Sequence, residues 1–471
     1  MNTIKLIATA GAVSILCGCA AVGPDYVAPP DVAAKRWHAN TTEAKRDESN
    51  KDWWSSFGDE ALMNLIGAAQ QNNPTIDKAV AAIDAARAYA ARAGAKMGPT
   101  INASVSSIDS KSLVLGKQVT SHSATDKIDA SWEIDLFGAV RRAKESSGAK
   151  VIAAQADYED ALVSLKAQIA TEYINYKSCK LSAAIYQNSL NSAQTTMDMT
   201  HSAVTEGALA VVDEQLASAS TEAIRSSLIN QEAECDVIVK NITYLTAMDE
   251  DKVMQVLAKS PNVIPSPASV SVVSVPANLL LQRPDIVAAE RSLAAASAEI
   301  GFAKANLYPR LTLMGNISTL SYTAKGASTI DAKPWSFGPT LSMPLFDTGA
   351  TRAQIAQAQA YFNTAQANYK LAVLGAVKEV EQALTRLQAA GKREVSAGIS
   401  AKNYDYHLQA SLDLWRVGQI NTITLEQSRR NALQAQQTQL NAQRDKVIYA
   451  IALHKALGGG WAYDPKEEQD R

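Results

Sequence analysis

The 471 residues carry 45 basic against 47 acidic side chains, with 47% hydrophobic and only 6% aromatic residues. That balance excludes a basic nucleic-acid-binding surface as the dominant feature, and the apolar content excludes intrinsic disorder. After the N-terminus no apolar run reaches the roughly eighteen residues of a membrane helix, so no helix of the mature chain is expected to cross a bilayer; a β-barrel stays open, because its strands alternate.

Lys5 precedes an apolar stretch, Leu6 to Leu16, too short for a membrane span and of the length of a signal-peptide core. Leu16-Cys17-Gly18-Cys19 follows and looks like a bacterial lipobox, so residues 1–18 are expected to be removed and Cys19 to become a lipidated first residue. Several acyl chains there would hold the protein to outer-membrane lipid, since one chain alone binds only marginally. Ala20 stands where an inner-membrane retention signal would place Asp, which favours the outer membrane by resemblance to sorted lipoproteins. Pro24, Pro29 and Pro30 predict a stiff, extended stretch within an anchor segment over 19–60.

No proline occurs between 100 and 260 or between 345 and 464, and these Ala-, Gln- and Leu-rich stretches predict very long helices. The two halves also match each other. Asn73-Pro74-Thr75-Ile76 answers Arg283-Pro284-Asp285-Ile286 and Pro99 answers Pro309 at an offset of 210, while Gln155-Ala156-Asp157-Tyr158 answers Gln366-Ala367-Asn368-Tyr369 and Gly207 answers Gly418 at 211. This is a duplication. It predicts an α+β chain with repeat 1 over 61–260, a Pro-rich linker over 261–283, repeat 2 over 284–457 and a tail over 458–471.

Each repeat reads helix, two strands, long helix, glycine turn, long helix. Strands are expected over about 100–108, 126–136, 310–322 and 335–346. The clearest has Ile128, Ala130, Trp132, Ile134 and Leu136 alternating with Asp129, Ser131, Glu133 and Asp135. Pro339 and Pro344 make the last strand irregular or edge-like. On pattern alone, a soluble sandwich with one wet face fits equally well. Four strands cannot close a barrel with a lumen, so in a barrel other copies must supply the rest, and cyclic symmetry would close strands and helices together.

Gly207 and Gly418 each interrupt a long helical pattern and read as hairpin tips with a residue at positive φ. Cys179 and Cys235 lie 28 residues before and after Gly207, which sets them at one height on two antiparallel helices; they form a disulfide in an oxidising compartment if the helix phase turns them together, and stay two buried free thiols if it does not. His38, His122, His201, His407 and His454 have no metal-ligand spacing, and no phosphate loop or nucleophile elbow occurs, so no metal, cofactor or catalysis is expected.

The lipobox followed by Val22-Gly23-Pro24-Asp25-Tyr26, then Trp53-Trp54 through Phe57-Gly58-Asp59, the run Trp132 to Gly138, Leu281-Gln282-Arg283-Pro284-Asp285-Ile286, and Ala456-Leu457-Gly458-Gly459-Gly460-Trp461 together resemble the outer-membrane factor family. The similarity is greatest to its NodT-like lipoproteins of RND efflux systems, akin to TolC and OprM, and it covers essentially the whole mature chain. The resemblance implies a homotrimer with a twelve-stranded transmembrane β-barrel, continued by a periplasmic α-helical tunnel with a mixed equatorial region. It also implies a periplasmic adaptor (membrane fusion) protein and an inner-membrane RND pump as partners, with passive export of drugs or other small toxic compounds and no nucleic acid.

Under that resemblance Asp129, Glu133 and Asp135 would line the barrel lumen, and Gly207 and Gly418 would face the adaptor. The family's constricting positions fall on Ile423 and Gln427, with Glu426 one position aside from the usual Asp. Trp415 takes the place of a family Tyr that tethers neighbouring helices, and Arg430 that of a family Arg. A type I protein-secretion duct and a pore-free helical spacer lipoprotein are the alternatives, and a spacer has no use for the four alternating strands.

Overall fold

The computed structural model describes residues 21–29, 50–114, 116–267 and 283–461. The signal segment 1–18, Cys19 and most of the linker expected over 261–283 lie outside the described residues. A 3-10 segment, Asn50–Phe57, leads into α1 (Glu60–Asn72) and α2 (Pro74–Ala95). Next come β1 (Thr100–Val114), β2 (Lys117–Ile134), α3 (Ala139–Thr205), α4 (Val211–Thr246) and α5 (Glu250–Ala258). The rest is α6 (Pro284–Ala305), β3 (Arg310–Ala324), β4 (Ile330–Ala332), β5 (Trp335–Ser342), α7 (Ala350–Arg416) and α8 (Thr422–Ala456). No helix among the described residues is long and apolar enough to cross a membrane.

The duplication is explicit in these bounds. Helices α2 and α6 are both 22 residues long and 210 positions apart, and α3 and α7 are both 67 residues long and 211 positions apart. The second strand of each pair diverges: β2 runs unbroken for 18 residues, whereas its counterpart is split into β4 and β5. Pro334 lies at the break, where its carbonyl still accepts from Ser318 N at 3.0 Å, and β5 stops at Ser342, short of the expected 346 and of Pro344, which has no N–H to give. The first pair is longer than its alternation suggests. Gly116 (φ +75°) closes a hairpin whose Ser/Thr/Lys-rich outer rows, Ser107↔Ala124 to Val114↔Lys117, keep the ladder without an apolar face to announce them.

Two compact units cut across the repeats instead of coinciding with them. The long helices leave one unit and enter the other, so each repeat contributes to both. Among the described residues the first unit gathers 21–29, 81–156 and 287–371 and contains the sheet. Strand order is β1-β2-β3, all antiparallel, with β4 and β5 both pairing the far side of β3. Below the sheet Phe137 stacks on Tyr308 at 4.7 Å, and Trp132 Nε1 donates to the Met97 carbonyl at 2.8 Å.

The second unit holds, among the described residues, 50–80, 157–267, 283–286 and 372–461 and has the larger apolar core. Leu62 and Leu65 of α1, Ile169, Tyr173 and Ile174 of α3, Ile242 of α4, Val253 of α5 and Ile451 of α8 are buried together. Asp59 explains its place in the Phe-Gly-Asp run: its carboxylate caps α1 by accepting from Ala61 N and Leu62 N, and also accepts from Tyr173 OH at 2.6 Å. Arg283 explains the Arg-Pro-Asp run. Its buried guanidinium forks onto Asp285 (3.0 and 2.8 Å), reaches Glu379 at 2.9 Å and donates to the last-turn carbonyl of Ala456 at 2.8 Å, tying the start of α6 to the end of α8. Pro284 then opens α6 with its φ already helical.

Candidate functional site

Register decides what the sheet can do. Cross-strand partners share a face, so Ile101, Ala130, Gly315 and Phe337 form one row and Ala103, Ile128, Ile317 and Trp335 the next. Trp132 and Leu313, then Ile134, Leu311 and Leu341, continue it. This apolar face is open: Val105, Trp335 and Phe337 are 82%, 74% and 76% exposed. From Ile134 to the row of Val105 and Asp126 it extends about 26 Å along the strand at about 3.3 Å per residue, the scale of the apolar band of an outer-membrane barrel, about 25 Å. Asp126, bonded to Thr319 Oγ1 at 3.0 Å, ends the band.

The opposite face is polar, with Asn102, Asp129, Asn316 and Ser336 in one row and Glu133, Thr312 and Thr340 in another. An apolar outer face and a polar inner face are the two surfaces that a membrane-embedded, water-lined wall requires. β1 and β5 are edges in the single chain, each with one side unpaired. Of the three acids expected to line the lumen, Asp129, ion-paired to Lys127 at 2.7 Å, and Glu133 lie on this polar face. Asp135 does not. It lies past the end of β2, and its carboxylate accepts from Arg141 N at 2.9 Å and faces Arg141 Nε at 3.4 Å, so it caps α3. Asp347 does the same for α7, accepting from Gly349 N and Thr351 N; its bonds to Thr351 hold its carboxyl below the usual range.

At the other end of the long helices the two tips are built alike. Gly207 (φ +76°) separates α3 from α4 and Gly418 (φ +74°) separates α7 from α8. Ala208 N donates to Ala203 O at 2.8 Å and Gln419 N to Leu414 O at 2.9 Å, the backbone closure that left-handed glycine allows at a helix end. Asn421 caps α8 through Thr424 N. Trp415 is half-buried and its Nε1 donates to Thr422 Oγ1 at 3.4 Å, bracing its own hairpin across the turn.

Ile423, Gln427 and Arg430 fall on one exposed stripe of α8, and Arg430 donates to Gln427 Oε1 at 2.7 Å. Glu426 points the other way. It and Arg429 are 1% exposed, with Arg429 Nε 3.5 Å from the Glu426 carboxylate. Glu426 also accepts from Ser220 of α4, and Arg429 Nη2 donates to Thr196 of α3 at 2.7 Å, while Nη1 has no hydrogen-bond partner among the described residues. Burial pushes the Arg429 pKa down. This three-helix clasp is the feature the sequence conceals most, because Glu and Arg at i,i+3 on a long helix read as an ordinary exposed pair. Cys179 and Cys235 are joined, with Cα atoms 5.5 Å apart.

A chain with this sheet and these hairpins is a protomer of an outer-membrane channel. It belongs to the outer membrane efflux protein family, whose profile matches residues 65–247 and 275–459. It is 29% identical over 464 residues to nodulation protein T of Rhizobium leguminosarum bv. viciae, covering 98% of this chain and 95% of that one. It is 26% identical over 458 residues to outer membrane protein OprJ of Pseudomonas aeruginosa, covering 95% of each. The solved structure of the outer-membrane channel OprN superposes with a TM-score of 0.82 at 29% identity, covering 93% of this chain and 99% of that one. The protein is an efflux channel component.

Proposed function

We propose that three copies of this chain form a passive export duct of a tripartite RND-type efflux system, anchored in the outer membrane by acyl chains on Cys19. The two unpaired edges of a two-faced sheet carry this reading: β1 of one copy pairs β5 of the next, and three copies close twelve strands around the polar faces. The tips at Gly207 and Gly418 meet the periplasmic adaptor, and the inner-membrane pump loads drugs or other small toxic compounds. Ile423, Gln427 and Arg430 of each copy ring the periplasmic entrance and constrict it. Intermolecular disulfide trapping between cysteines placed along β1 and β5 tests the closure: a covalent trimer in intact outer membranes is expected, and monomers throughout the scan would rule it out.

A further inference from the structure

The leader after Cys19 is held by contacts that a flexible tether would not make. Val22 N donates to Phe137 O at 3.0 Å, just beyond the end of β2. Arg142, 4% exposed, donates from Nε to Val22 O at 3.3 Å and from Nη2 to Asp25 at 2.7 Å, leaving Nη1 for Glu145. Tyr26 OH donates to Glu290 of α6 at 2.5 Å. The backbone of the leader crosses α6 where neither side has a Cβ. A Cβ on Gly23 (φ +103°) would lie 2.3 Å from Gly301 Cα, and one on Gly301 would lie 2.8 Å from Val22 O and 2.9 Å from Arg142 Cγ. Without the leader the Arg142 guanidinium would lose two of its three partners and the cover that shields it, keeping only Glu145.

We propose that residues 21–26 are a seated strap, and that Arg142 and the Gly23–Gly301 crossing are positioning residues that set the acyl chains of Cys19 at the α3 end of β2. This rests on the lipidation of Cys19 proposed above. Cys19 precedes Ala21 by two residues, a reach of about 7 Å at most, and Ala21 is so close to Gly138 that a Cβ there would lie 2.4 Å from Ala21 Cβ. The lipid therefore enters the bilayer where the apolar row of Ile134, Trp132 and Ile128 begins, at a fixed depth relative to the sheet. A free tether would leave that depth unset.

Hydrogen exchange by mass spectrometry on the full acylated protein in outer-membrane vesicles tests the strap. The Val22 amide, bonded to Phe137 O, should exchange at least about 100-fold more slowly than in the free peptide. Arg142→Gln should remove most of that protection and Tyr26→Phe part of it, with the core of α3 unchanged in both. Cys19→Ala protein, which has no acyl chain, should keep the strap protected. A photoreactive residue at Ala20 should crosslink within residues 134–142. Exchange at the free-peptide rate in the acylated wild type, protection indifferent to both variants, or crosslinks mapping elsewhere would overturn the strap. An intact mass without acyl chains would instead overturn the lipidation and with it the anchor-setting role, whatever the exchange data show.

Discussion

The two helical hairpins descend from one ancestral repeat and are held by different chemistry. In the first, a disulfide closes 56 residues of separation between α3 and α4, far from the tip at Gly207. The second has no cysteine, and its return helix α8 is fastened to the first hairpin by the buried Glu426–Arg429 pair on Ser220 and Thr196. A covalent bond is indifferent to salt and hydration, whereas a buried ion pair is fixed only while dry and turns costly when one partner leaves. One hairpin is thus built as a strut, and the other is held at a contact that can be undone without breaking a bond.

Breaking the clasp should have the largest effect. Arg429→Met strands Glu426 in a dry site and should cost about 3–5 kcal/mol, whereas adding Glu426→Leu to it should bring the protein back to near neutral; thermal unfolding of wild type, the two single variants and the double variant checks both. Removing the strut by Cys179→Ala with Cys235→Ala should cost about 4 kcal/mol by loop entropy, read in denaturant unfolding, with no change in the clasp cycle.

Acid should separate the hairpins in a third way. His454, on α8, is buried with its ring stacked 4.1 Å from Trp53 and edge-on to Trp54, and burial lowers its pKa to about 4. The folded state keeps the ring neutral while the unfolded chain takes up a proton. The stability it supports is therefore full above about pH 6.5 and falls as pH drops toward about 4, by on the order of 3 kcal/mol. His454→Phe should flatten the pH profile of unfolding across that window. The smallest effect is expected at the tips, where Gly207→Ala and Gly418→Ala each force a Cβ into positive φ and should cost about 1 kcal/mol.

Much of this architecture is legible in the sequence, because duplication, proline placement and strand alternation each leave a periodic trace. The helix pairs, the tips, the apolar sheet face and the spacing of Cys179 and Cys235 all follow from such periodicity. Features that depend on which way one side chain turns do not. Asp135 continues the alternation of β2, yet it belongs to the cap of α3, since strand and cap share the same spacing for one residue. Glu426 sits one residue from a stripe that faces outward, and that single step of about 100° along a helix buries it. The outer rows of the first strand pair mix Ser, Thr and Lys with scattered apolar residues on both faces, so their ladder leaves no alternation to read. Arg142 and Arg283 look like surface charges until backbone carbonyls from distant segments come to rest against them.

The proposed duct is narrowed by the second hairpin while the first stays braced. Single-channel conductance in planar bilayers tests this directly, comparing wild type with Ile423→Ser, Gln427→Ala protein under oxidising and reducing conditions. Conductance should rise in the double variant with the Cys179–Cys235 bond intact and change little further on reduction. An unchanged conductance in the folded variant, or a rise that appears only when the disulfide is reduced, would contradict the account.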